Sequence, residues 1–139
     1  MTQVDIFVGS QCNGNPGHGG WAAVLCVGRH EKVLSGGEPG VTINRMDLLA
    51  LTEALRVLIE PCTVTVHSTS RFLADGFARW SGIWEPRGWS SGRARPVNNA
   101  DQWYALITLA QAHALTFATI AGDDCPAMAQ ALRLAGEAA

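Results

Sequence analysis

The stretch Val4-Asp5-Ile6-Phe7-Val8-Gly9-Ser10-Gln11-Cys12-Asn13-Gly14-Asn15-Pro16-Gly17-His18-Gly19-Gly20-Trp21-Ala22-Ala23-Val24-Leu25 decides the fold. Val4 to Val8 alternates apolar and polar residues, then turns uniformly apolar. A strand buried first on one face and then on both reads this way. Gly14 to Gly20 combines glycine freedom with the fixed φ of Pro16 and reads as a turn, neither helix nor strand. Trp21 to Val27 is a second strand, and Gly28 to Lys32 a polar hairpin into a third, Val33 to Ser35.

Downstream the period changes. Asn44-Arg45-Met46-Asp47 opens a helix, with Asn44 as the expected N-cap and Asp47 at N3, where an acid favours the positive helix end. Met46, Leu48, Leu49, Leu51, Leu55, Val57 and Leu58 leave only a narrow polar stripe, so this helix is deeply packed. Pro61 ends it. Thr63 to Val66 is a fourth strand and Ser70 to Trp80 a short helix. Residues 81 to 99, rich in Gly, Pro, Trp and Arg, read as a projecting loop. Asp101 to Ala114 is a helix, Leu115 to Ile120 a fifth strand, and Pro126 to Ala138 a closing helix with proline in its first turn. Hairpin-linked strands followed by alternating strands and helices give an α/β chain. The expected architecture is a five-stranded mixed sheet with helices on both faces, in one domain over residues 1–139.

Composition narrows the function. The 139 residues suffice for a core without disulfides or a structural metal. No apolar run approaches the ~18 residues of a membrane span, and the N-terminus has no basic cluster, so neither a membrane nor a secretory signal is expected. The formal net charge of -2 argues against a purely electrostatic nucleic-acid binder, so any such role rests on a local patch. Cys12, Cys26, Cys62 and Cys125 form no CxxC pair and have no zinc spacing; they read as reduced thiols of a cytoplasmic protein.

The opening stretch resembles type 1 ribonuclease H, in which the first strand runs into a Gly-Asn-Pro-Gly turn. INRMDLLALTEAL (Ile43 to Leu55) is similar to that family's Asn-Arg-Met-Glu helix, and VTVHSTSRFL (Val64 to Leu73) to its fourth strand. Residues 80–103, with Arg87-Gly88-Trp89 and Pro96-Val97, are similar to its tryptophan-bearing handle loop. The resemblance implies an RNase H-like fold and a nuclease that cuts the RNA strand of an RNA–DNA hybrid with two Mg²⁺ ions held by four carboxylates.

Carried over singly, those four carboxylate positions fall on Gly9, Asp47, Thr69 and Leu132, and the mobile-loop histidine near Asp123. Mg²⁺ demands oxygen ligands, and a metal pair ~4 Å apart needs several carboxylates to offset its charge. No catalytic residue, and no metal cofactor, is therefore expected; a residual metal contact would be Asp47. A rearranged centre of Asp47, His67 and Asp123, with Asp124 beside it, is the alternative, since His67 and Thr69 share a sheet face. Asp5 is too far down its strand to replace a ligand at Gly9.

Binding positions implied by the resemblance are better kept. They are Cys12, Asn15, Thr42, Asn44, Arg71, Phe72, Trp80, Trp84, Arg87, Trp89, Arg93 and Arg95, although Ile43 stands where one asparagine of the family's pair would be. Trp80 and Trp84, one turn apart, have packing beneath the handle as their simpler role. The expected function is weak binding of hybrid or duplex nucleic acid without catalysis, helped by a protein partner within a larger complex. The alternatives are a protein-interaction scaffold and a divergent metal-dependent ribonuclease H.

Overall fold

The computed structural model describes residues 1–14, 16–80 and 99–139. The chain runs β1 (Thr2–Gly14), β2 (Gly17–Val27), β3 (His30–Val41), α1 (Ile43–Arg56), β4 (Cys62–Ser68), α2 (Phe72–Trp80), α3 (Ala100–Ala110), β5 (Ala114–Thr119) and α4 (Pro126–Ala138). The sheet order is β3-β2-β1-β4-β5, antiparallel across β1–β2 and β2–β3 and parallel across β1–β4 and β4–β5. This is the five-stranded mixed sheet that the change of period implies.

Strand alternation divides the core into two layers. Val4, Ile6 and Val8 of β1, Ala23 and Leu25 of β2, and Val64 and Val66 of β4 pack with Leu48, Leu51 and Leu55 of α1 and Trp103, Leu106 and Ile107 of α3. The residues between them, Phe7, Val24 and Cys26, meet Met128 and Ala131 of α4 on the opposite face. Helices thus cover both faces, with α4 lying over β1, β2 and the edge strand β3.

The first hairpin is longer and tighter than the glycine content suggests. Gly14 and Gly17 still pair, so β1 and β2 extend into a stretch that reads as turn. The connection is possible because Gly14 takes φ +118°, a value costly for any side chain. β3 also outruns its expected Val33–Ser35 and continues through Gly36 to Val41. Gly36 lies beneath the Trp21 ring, where a Cβ would come within 2.8 Å of the indole nitrogen. Glycine there makes room for a cross-strand tryptophan, and Pro39 is tolerated because β3 is an edge strand.

α4 sits unusually close to the sheet. A Cβ at Gly9 would lie 2.3 Å from the Ala131 carbonyl oxygen, one at Gly20 2.1 Å from that of Ala135, and one at Gly37 2.4 Å from that of Ala138. Three glycines, one on each of three adjacent strands, form a cradle for the helix backbone, whose facing residues are themselves alanines. Any side chain at these strand positions forces the layers apart.

Candidate nucleic-acid interface and sheet-end carboxylate

The ends of β1 and β4 lie side by side in parallel register, Phe7 opposite His67. Two residues past that pairing lie Gly9 on β1 and Thr69 after β4. Asp47 approaches from α1 and Leu132 from α4. Asp47 is not at N3, the first-turn position expected from the sequence. Thr42, not Asn44, is the N-cap, with φ −105° and ψ 160° and its hydroxyl accepting from the Arg45 N–H at 3.4 Å. Asp47 therefore lies beyond the first turn and is buried, 5% exposed.

Burial pushes its carboxyl up to about 6 from the usual 3.8, and hydrogen bonds with the Ser10 and Ser70 side chains only partly oppose that. Ser10 and Ser70 were not singled out in sequence, although the register held a signal. Ser10 continues the even-numbered face of β1, the face that Val4, Ile6 and Val8 present to α1. The Ser70 N–H donates in turn to the Ser68 hydroxyl at 3.2 Å, which fixes the turn after β4.

The other three positions offer little to a cation. Gly9 lies beneath the α4 backbone with no space for a side chain. Leu132 packs at the margin of the Val24–Met128–Ala131 cluster. A Cβ at Gly122 would be 2.9 Å from Leu132 Cδ1 and 3.9 Å from Thr69 Cγ2, so these two side chains close over the same glycine.

The rearranged centre is not assembled. His67 stacks on Phe7, ring centroids 4.3 Å apart, and its Nε2 lies 2.9 Å from Asp5 Oδ1. Asp5, set aside in sequence as too distant from Gly9, is thus the partner of His67 instead. Phe7 belongs to the α4 side of the sheet, which places the His67 ring on the face opposite α1. Among the described residues no three His, Cys, Asp or Glu side chains are grouped to hold a metal. Asp123 and Asp124 are exposed in the turn before α4.

The corner at the start of α1 has a different character. The Cys12 thiol donates to the Val41 carbonyl at 3.0 Å, joining the end of β1 to the residue before the cap. Asn44 and Ile43 are exposed beside it. Arg45 makes a bidentate pair with Asp101, at 3.2 and 3.0 Å, and reaches the Asn99 side-chain oxygen at 3.4 Å. This pair, which sequence reading did not identify, raises the Arg45 pKa and lowers that of Asp101 through the hydrogen bond between them. It joins the starts of α1 and α3. Asn99, which precedes α3, has φ 59° and is the one described non-glycine residue with positive φ.

Among the aromatic candidates, Trp80 is 7% exposed and belongs to the core, which corrects its assignment as a ligand contact and supports the packing role. Phe72 is likewise turned inward, packing on the Trp103 ring at 5.6 Å. Arg71 is exposed and lies 3.4 Å from Asp75. Asn15, Trp84, Arg87, Trp89, Arg93 and Arg95 lie outside the described residues.

Comparison with known proteins agrees with this architecture. The chain matches the RNase H family over residues 1–139. It is 45% identical to Ribonuclease H of Erythrobacter litoralis, covering 100% of this chain and 97% of that protein. It is 45% identical to Ribonuclease H of Cupriavidus necator over 89% of this chain and 86% of that one. Its fold is similar to that of LC9-RNase H1, described as a type 1 RNase H with the type 2 active-site motif. The TM-score is 0.79 at 23% identity, covering 100% of this chain and 74% of that one. LC11-RNase H1, solved in complex with an RNA/DNA hybrid, aligns with TM-score 0.71 at 20% identity over 97% of this chain and 95% of that one. Match length and identity together make this chain a member of the RNase H family.

Proposed function

We propose that this protein is a non-catalytic member of the family, one that grips RNA–DNA hybrid or duplex nucleic acid without cutting it. The observation that carries this reading is the seat of α4 on Gly9, where a Cβ would lie 2.3 Å from a backbone carbonyl. A carboxylate cannot occupy that position unless the helix moves. Leu132 is apolar, Thr69 offers one hydroxyl, and Asp47 is buried with serine partners. These residues do not fit a pair of Mg²⁺ ions, whose charge requires several oxygen ligands.

Thr42 and Asn44 at the α1 corner, with Asn15, Arg71, Arg87, Arg93 and Arg95 from the sequence, supply phosphate-directed donors, while the Cys12 thiol is committed to the Val41 carbonyl. So few cations on a chain of net charge -2 give modest affinity at physiological salt. A protein partner in a larger cytoplasmic complex would raise it through effective concentration. No described helix is long and apolar enough to cross a membrane.

A second reading, a divergent metal-dependent nuclease, is favoured by the name Ribonuclease H on relatives 45% identical. A cleavage assay on a labelled RNA–DNA hybrid with Mg²⁺ or Mn²⁺ decides between them. The expected result is no cutting above buffer. Metal-dependent cutting that disappears in Asp47→Ala would establish the second reading.

A further inference from the structure

Two of the four cysteines are occupied elsewhere: Cys12 donates to Val41 and the buried Cys62 to the Glu60 carbonyl. Cys26 and Cys125 instead pack around one small cluster, Val24, Met128 and Ala131, where α4 lies on the sheet. Their positions follow a shared progression. Gly9 lies under Ala131, and Ala22 is the β2 partner of Gly9. Two residues along β2 is Val24, and three residues back along α4 is Met128, buried with it. The next step along each element is Cys26 and Cys125. A strand advances ~7 Å in two residues and a helix ~4.5 Å in three, so over two steps the strand runs ~5 Å further than the helix, and it is the shared cluster of Val24, Met128 and Ala131 that brings the two cysteines together.

Electrostatics agrees. The Cys26 thiol is pushed above its ordinary range by burial first, then by Glu31, Asp5 and Cys125, so the two sulfurs lie within interaction range. Cys125 is the residue preceding α4 yet makes no side-chain capping bond, which leaves its thiol uncommitted. Both residues are half-buried and within reach of a small reagent.

We propose that Cys26 and Cys125 form a reversible dithiol–disulfide pair that staples the start of α4 to β2, closed by a small-molecule disulfide such as oxidised glutathione. The Cys125 thiolate attacks one sulfur of the oxidant, and a glutathione thiolate leaves. The Cys26 thiolate then attacks the Cys125 sulfur of the mixed disulfide, forming the protein disulfide and expelling the second glutathione thiolate. Two protein thiols lose two electrons, the oxidant gains them, and the two protons released reprotonate the two glutathiones. The closed loop spans most of the chain, so the staple removes much unfolded-state entropy. This inference is independent of nucleic-acid binding.

The test treats the folded chain with oxidised glutathione and counts free thiols in denaturant, followed by non-reducing digestion and mass mapping. The expected result is a fall from four free thiols to two. The linked peptide should join Cys26 to Cys125, and Tm should rise by roughly 5–10 °C, reversed by dithiothreitol. Cys125→Ser and Cys26→Ser should each abolish both the link and the rise in Tm. Four remaining thiols, glutathione adducts that never resolve, or a link through Cys12 or Cys62 would each overturn the proposal.

Discussion

The sheet end beneath α4 and the corner at the start of α1 are built in opposite ways, one by close backbone packing and the other by short polar groups. At the corner, short polar groups are half-buried or exposed: Thr42 caps the helix, Cys12 joins β1 to Val41, and Asn44 faces solvent. At the sheet end the space itself has been taken. Gly9 receives a helix backbone, Leu132 turns toward Gly122 and Thr69, and Asp47 is enclosed with two serines. Replacing a ligand leaves a position that another substitution could restore, whereas packing a helix against it leaves no position to restore.

The largest test of this contrast is Gly9→Ala, which adds only the Cβ that would meet the Ala131 carbonyl. We expect a loss of about 3 kcal/mol, and more for Gly9→Asp, because backbone cannot yield as a flexible side chain does. Thr69→Asp, at an exposed position, should change stability by no more than about 0.5 kcal/mol. Urea denaturation of the three variants measures the difference. If Gly9→Ala is as harmless as Thr69→Asp, α4 does not close the centre.

Asp47 gives the next effect, and its sign is definite. Its folded pKa of about 6 exceeds the ordinary 3.8, so between these values the native state holds a proton that the unfolded chain has released. The associated stability is complete below pH 3.8 and is lost as pH rises through 6, amounting to about 3 kcal/mol. Asp47→Asn removes the ionisation while keeping a partner for Ser10 and Ser70. The variant should therefore gain on the parent steadily from pH 4 to pH 7 and stay level above that. Parallel stability–pH curves for the two proteins would show that the carboxylate is not enclosed.

The same two places show what the sequence carries and what it hides. Strand alternation, the change of period near residue 44 and the proline-started last helix were legible because each is a local property of the chain. Element order and sheet class follow from them. Gly9, Gly20 and Gly37 were legible as glycines, but not as a cradle, because their meaning depends on the carbonyls of Ala131, Ala135 and Ala138, in a helix at the far end of the chain. Glycine signals also shortened β3, since Gly36 serves the Trp21 ring and does not break the strand. The burial of Asp47 was missed for a similar reason: a cap at Thr42 moved it inward by two positions. His67 and Asp5 face each other only because β1 and β4 pair in parallel register.

At the corner, Thr42→Ala should cost about 0.5–1 kcal/mol, because its hydroxyl satisfies one helix-start N–H over a long 3.4 Å bond. Thr42→Ser should recover most of that. Thermal unfolding followed by circular dichroism checks both. A loss equal to that of Gly9→Ala would erase the distinction between the α1 corner and the tightly packed sheet end.

The smallest structural effect belongs to Arg71, and it best separates binding from folding. Its contact with Asp75 joins two well-exposed side chains at 3.4 Å, four residues apart, a pair of negligible worth to the fold. Arg71→Ala should therefore leave stability within about 0.5 kcal/mol of the parent. If the corner and its surroundings meet a phosphate backbone, each guanidinium on a phosphate displaces one condensed counterion. Losing Arg71 should then lower the slope of log affinity against log salt by about one unit. The measurement is a salt titration of RNA–DNA hybrid binding by fluorescence anisotropy, for the parent and for Arg71→Ala. An unchanged slope with measurable parent binding would remove Arg71 from the interface. A parent that fails to bind even at low salt would remove nucleic acid itself, and the preserved corner would then have to be explained by a protein partner.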